Sequence, residues 1–150
     1  MADTAIDFRN WQIPLSRRFR ALKLWFVIRN YGVTGLQSYI RRHVKLAHYF
    51  AFLMSRDKNF QICNEVTLGL VCFQLKNSNR LTKILEERLN QTRKIFVISA
   101  QLKEKHVIRF CVVSENCRQE HVVYAWNLIR RMAEEILCEE KACCRDASSS

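Results

Sequence analysis

Between Asp7 and Arg20 the chain reads Asp-Phe-Arg-Asn-Trp-Gln-Ile-Pro-Leu-Ser-Arg-Arg-Phe-Arg. Four arginines (9, 17, 18 and 20), the aromatics Phe8, Trp11 and Phe19 and the only proline, Pro14, crowd into this stretch, which follows neither the helical nor the strand period. The planar fork of a guanidinium fixes a carboxylate or phosphate at two points, as a lysine ammonium cannot. The segment therefore suits a functional loop. It equally suits an ordinary helix entry stiffened by Pro14, and composition leaves both readings open.

Other chemistry is sparse. His43 and His48 are five apart, which takes them off a shared helical face and excludes the paired-histidine zinc motif. Gly32, Gly35 and Gly69 fall in no phosphate-binding frame. Ser16 and Ser38 lack a nucleophile elbow and an evident base. Glu86, Glu87, Glu134, Glu135, Glu139 and Glu140 read as solvated helix faces. A metal site at Cys138, Cys143 and Cys144 has neither paired-cysteine nor histidine spacing behind it, so no metal ligands are assigned.

The elements that must position any site come from a chain of 150 residues, 49% apolar and 26% charged, with 3 Gly and 1 Pro. That balance excludes disorder and low complexity and suffices for a real core. Seven cysteines without a secretory leader point to a reducing, cytoplasmic setting. The longest unbroken apolar run, Tyr49 to Met54, is far short of the roughly 20 residues that span a bilayer, so no membrane partner is expected. The net charge of +11 is front-loaded: residues 1–48 hold nine Lys/Arg against Asp3 and Asp7, whereas residues 101–150 hold eight basic and eight acidic groups. Such an excess fits a nucleic-acid face, a solvated surface, or a surface that meets the rest of a larger protein.

Phe19, Leu22 and Phe26 place a helix over Arg17 to Tyr31, with Gly32 as its stop. Its run Leu24 to Ile28 is apolar on every side and predicts heavy burial. Leu36, Ile40, Val44, Ala47, Ala51 and Met54 form the stripe of a second helix, about Thr34 to Arg56, with Arg41, Arg42, Lys45 and His48 off it. Strands are expected at Phe60 to Cys63, Leu68 to Lys76, Ile95 to Ala100 and His106 to Val113, the second covered on both faces. Asn77-Ser78-Asn79 caps a helix carrying Leu81, Ile84, Leu85 and Leu89. A last helix spans about Gln119 to Glu140. The fold class is thus α+β, two N-terminal helices followed by a ββαββα small domain. The expected organisation is a disordered lead-in (1–6), a site-adjacent loop and two helices (7–57), a small α+β domain (58–140) and a disordered tail (141–150).

The Asp7 to Gly32 stretch, followed by Gly35-Leu36-Gln37, Leu68-Gly69-Leu70-Val71-Cys72-Phe73, Ile108-Arg109-Phe110-Cys111 and Ala125-Trp126, resembles the group II pyridoxal-phosphate-dependent decarboxylases, above all their aromatic-amino-acid and tyrosine branch. Residues 7–140 are covered in order. The resemblance implies the C-terminal portion of a fold type I enzyme and a homodimer. It also implies a lyase that decarboxylates tyrosine, dopa or 5-hydroxytryptophan, as in catecholamine biosynthesis, with pyridoxal 5'-phosphate as electron sink. By the same resemblance Arg9 matches an arginine close to the active site, with a supporting role. Ser16 matches a substrate-pocket position across the dimer interface, where the added hydroxymethyl, in place of glycine, shifts weight toward tyrosine or histidine. The family's lysine follows Asn-Pro-His, and this chain has no His-Lys dipeptide. The covalent cofactor site is therefore missing, and a fragment inactive alone is expected. Histidine decarboxylase and aromatic acetaldehyde synthase are the neighbouring alternatives. A non-catalytic dimerisation or basic binding module is the alternative from another class, although no specific nucleic-acid partner is expected because the strand positions are aliphatic.

Overall fold

A computed structural model of the chain describes residues 19–147 except 77, with side chains described as far as 142. The elements run α1 (Arg20–Ser55), β1 (Phe60–Ile62), β2 (Leu70–Leu75), α2 (Asn79–Gln91), β3 (Ile98–Leu102), β4 (Lys105–Cys111) and α3 (Gln119–Ala147). The strands form one antiparallel sheet in the order β1-β2-β4-β3. This is the α+β succession expected from the sequence. α1 is two helices joined across Gly32, whose φ of 62° and ψ of 178° are not helical. A left-handed φ suits glycine, and the expected stop stands where it was placed.

Two compact units divide the chain, residues 1–38 and 39–150. In the first, Leu24, Trp25, Phe26, Val27 and Ile28 are all exposed, against the heavy burial expected. Five consecutive helical residues sweep more than a full turn at about 100° each, so no single neighbour within the unit can cover them.

The second unit builds its core on one face of the sheet. Cross-strand partners share a face, and the register pairs Val71 with Phe110, Phe73 with Ile108 and Ile62, and Leu75 with Phe60. Residues 39–55 of α1 pack there through Phe50, which stacks on Phe110 at 3.9 Å and meets Phe73 and Trp126 at 6.0 and 6.2 Å. α2 adds Leu81, Leu85 and Leu89, and α3 adds Val122, Ile129, Ala133 and Ile136. On the opposite face Cys72 and Gln74 of β2 are also buried. The central strand is covered on both sides, as its unbroken apolar run predicted.

Local chemistry sets the boundaries. Ser78 caps α2, its side chain accepting from the Leu81 N–H at 3.1 Å. The buried Thr82 hydroxyl donates to the Ser78 carbonyl at 2.7 Å and accepts from the Leu75 N–H at 3.0 Å, tying α2 to the end of β2. β3 begins at Ile98 rather than Ile95 and runs to Leu102, because Leu102 pairs with Lys105 and leaves Lys103-Glu104 as a two-residue turn. Lys103 takes a φ of 55° there without glycine, so the usual turn signal is missing. α3 runs to Ala147, beyond Glu140 and into the stretch expected to be a disordered tail. No Gly or Pro interrupts residues 119–147, so nothing local stops the helix.

Candidate functional site

Three side chains from neighbouring positions of α1 hold three successive carbonyls of the loop between β4 and α3. The Tyr39 hydroxyl donates to the Val113 carbonyl. The His43 ring joins the Ser114 carbonyl through Nε2 at 2.8 Å, and Arg42 donates to the Glu115 carbonyl at 2.5 Å. A carbonyl only accepts, so His43 Nε2 carries a proton. His43 is buried, with the Tyr39 ring edge-on at 4.1 Å. The glycine of the Leu68-Gly69 turn completes the arrangement, its carbonyl accepting from the Val112 N–H at 2.8 Å. The sequence showed Arg42 only as a residue off the apolar stripe, and His43 only as one of two histidines that share no helical face. Their acceptors are backbone atoms more than 70 positions away, and residue spacing carries no signal for such partners.

An open cleft of about 640 Å³ lies between the end of α1 and α3, lined by Leu53, Arg56, Asp57, Lys58, Asn59, Trp126, Arg130 and Glu134. Its acids are engaged. Asp57 accepts from the Asn59 N–H at 2.9 Å and stands 3.5 Å from Arg130 Nε, which is 2.9 Å from Glu134. Carboxylates committed in this way make poor general bases.

Across the molecule, Glu86 of α2 accepts from the Ser99 N–H at 3.1 Å and pairs with His106 Nε2 at 3.0 Å. Arg88 holds Glu139 at two points, 2.9 and 2.5 Å; that hydrogen bond lowers the Glu139 carboxyl and raises the Arg88 guanidinium. Cys63 and Cys72 sit across from each other, the Cys63 N–H donating to the Cys72 carbonyl at 2.9 Å. Burial pushes both thiols up, opposed by Lys105 at Cys63 and by Arg109 at Cys72. Burial raises Cys117 likewise, against Arg42. Raised thiols are protonated at neutral pH and are weak nucleophiles.

Arg9 and Ser16 lie outside the described residues. Among the described residues no group of three His, Cys, Asp or Glu could hold a metal ion, and no helix is long and apolar enough to cross a membrane. A covalently held pyridoxal cofactor needs an amine shielded from water. Every lysine of the chain is described, and every one is solvent-exposed. The residues present therefore do not fit covalent attachment of that cofactor.

The pyridoxal-dependent decarboxylase conserved domain matches residues 1–76. Over 135 residues, 90% of this chain and 28% of the relative, the sequence is 53% identical to the aromatic-L-amino-acid decarboxylase of Rattus norvegicus. The fold superposes on Oryza sativa TDC, solved with PLP and tryptamine, with a TM-score of 0.77 and 35% identity over 87% of this chain and 30% of that one. Rhodiola rosea 4-hydroxyphenylacetaldehyde synthase gives 0.76 and 37% over 90% and 30%. The three helices and four-stranded sheet are thus an α+β part of a fold shared with pyridoxal-phosphate enzymes. The chain belongs to the pyridoxal-dependent decarboxylase family. It spans less than a third of the length of these relatives.

Proposed function

We propose that these residues serve as the C-terminal α+β portion of a pyridoxal-phosphate-dependent lyase that removes the carboxyl group of aromatic L-amino acids. The observation that carries this is the 53% identity to an aromatic-L-amino-acid decarboxylase over nine-tenths of the chain. That identity also favours the decarboxylase over the acetaldehyde synthase, at 37%, and over the histidine-specific and non-catalytic alternatives. In this reading the amine that holds the cofactor comes from outside these 150 residues. The cofactor supplies the electron sink when bound. The part of this chain is to shape the substrate pocket through Ser16 and to assist beside it through Arg9, in a homodimeric enzyme whose two subunits share that pocket. The free thiols at Cys63, Cys72, Cys111, Cys117 and Cys138 suit a cytoplasmic setting, and tyrosine, dopa and 5-hydroxytryptophan are the substrates in view, within catecholamine biosynthesis.

The test is a chimaera in which residues 7–140 replace the matching segment of the rat enzyme. It is expected to bind the cofactor and release amine, and Ser16→Gly is expected to move its preference from tyrosine toward dopa by about ten-fold. The 150-residue chain alone is expected to retain no cofactor through gel filtration and to release no amine. A folded, dimeric chimaera without cofactor or activity would refute the reading, as would amine production by the chain alone.

A further inference from the structure

Residues 39–55 of α1 bury His43, Leu46, Ala47, Phe50, Ala51 and Met54. The opposite arc carries Arg41, Lys45, His48 and Phe52, joined by Arg56 just past the helix, all of them exposed. Their spacing of i, i+4, i+7, i+11 and i+15 makes one straight line along the helix, about 22 Å long at about 1.5 Å per residue. No Asp or Glu occurs anywhere in Arg20–Ser55, so nothing on the element balances these charges. Arg80, Arg88, Arg130 and Arg131 on α2 and α3 all pair with carboxylates. By contrast, Arg41, Lys45 and Arg56 meet none among the described residues. Arg56 lies instead over the Phe52 ring, 5.8 Å from its centre, and that ring is 55% exposed. Arg42 and Lys58 flank the line. Asp57, the one acid among them, is already held by the Asn59 N–H and Arg130.

We propose that this face docks on an anionic phospholipid surface. Uncompensated Lys and Arg grouped on an amphipathic helix complement acidic headgroups, and a straight ridge meets a plane along its whole length. Phe52 with its guanidinium cover is an aromatic suited to the headgroup layer. A nucleic-acid strand would call for several aromatics between the cations, for base stacking, and the ridge holds one. The surface lies on the helix rather than through a membrane, consistent with the absence of a spanning helix among the described residues.

The experiment is co-sedimentation of the full chain with vesicles of phosphatidylcholine alone or with about one-third phosphatidylserine, at low salt and at about 0.5 M salt. Binding is expected only with phosphatidylserine and is expected to be lost at high salt. Each cation removed should weaken partitioning about five-fold, so the Arg41→Gln/Lys45→Gln/Arg56→Gln variant should bind about 100-fold more weakly. The Lys83→Gln/Lys94→Gln/Lys103→Gln variant, which removes the same charge from other exposed positions, should bind like the parent. Circular dichroism of both variants separates lost binding from lost fold, and the salt dependence of the parent reads the same electrostatics without any substitution. Equal binding to phosphatidylcholine, equal weakening by the two variants, or displacement of the chain from vesicles by single-stranded RNA at matched charge would overturn the proposal.

Discussion

Gly69→Ala tests whether the turn before β2 and the loop after β4 behave as one unit. A β-carbon at position 69 would stand 2.7 Å from the Val112 carbonyl oxygen and 3.7 Å from Cβ of His43. The first distance is shorter than real contacts of this kind, and the obstructing atom is backbone. Relief requires the two segments to part by about half an ångström or more. The Val112 N–H bond to the Gly69 carbonyl, 2.8 Å long, lies across that separation. Moving Val112 also pulls on the next three carbonyls, which Tyr39, His43 and Arg42 hold. Forcing a methyl into a packed site costs about 1–3 kcal/mol, and a weakened backbone hydrogen bond adds about 1 kcal/mol. The expected loss is about 2–4 kcal/mol, a fall in Tm of about 4–16 °C for a chain of this size, read by circular dichroism. Gly35→Ala is the comparison. Its β-carbon meets nothing closer than Tyr31 Cβ at 3.4 Å, and a helical Gly-to-Ala exchange gains up to about 1 kcal/mol. If Gly69→Ala melted within about 2 °C of the parent, the coupling of these two segments would be wrong.

His43→Leu keeps most of the buried volume but leaves the Ser114 carbonyl without its donor; a destabilisation of about 1–3 kcal/mol is expected, with faster amide exchange concentrated in residues 113–117. The pH dependence of stability follows from Cys63, Cys72 and Cys117, whose folded-state values burial raises above the ordinary 9.0. Below that value folded and unfolded chains both keep these protons. Above it the unfolded chain loses them first, so folding becomes less favourable as pH rises. Urea midpoints should therefore show no thiol contribution between about pH 7 and pH 8 and a decline above about pH 9, and the decline should shrink in Cys63→Ala/Cys72→Ala. An unchanged decline in that variant would exclude the thiols as its source.

Regular periodicity was the legible part of the fold. The helix expected over about Thr34 to Arg56, the unbroken run of β2 and the Ser78 cap each depend on residues a few positions apart, and each appears where expected. Of the expected stripe only Ala47, Ala51 and Met54 are buried, beside His43, Leu46 and Phe50, while Ile40 is exposed. The end of β3 at Leu102 was illegible because Lys103 turns the chain without glycine. The exposure of Leu24 to Ile28 was illegible because an apolar run states a demand for cover and not its source. For the site, Arg9 and Ser16 came from family resemblance and lie outside the described residues. The grip of Tyr39, Arg42 and His43 on the 113–115 carbonyls could not be read at all, since its acceptors are main-chain atoms brought close only by the sheet.

The placement of Phe50, Ala51 and Met54 inside the sheet's core has a consequence for inheritance and for engineering. A gene rearrangement cut at the helix-to-strand junction near Asp57 would strand the sheet without the aromatic that stacks on Phe110. A transferable cassette must begin at or before Tyr39, the first residue of the larger compact unit.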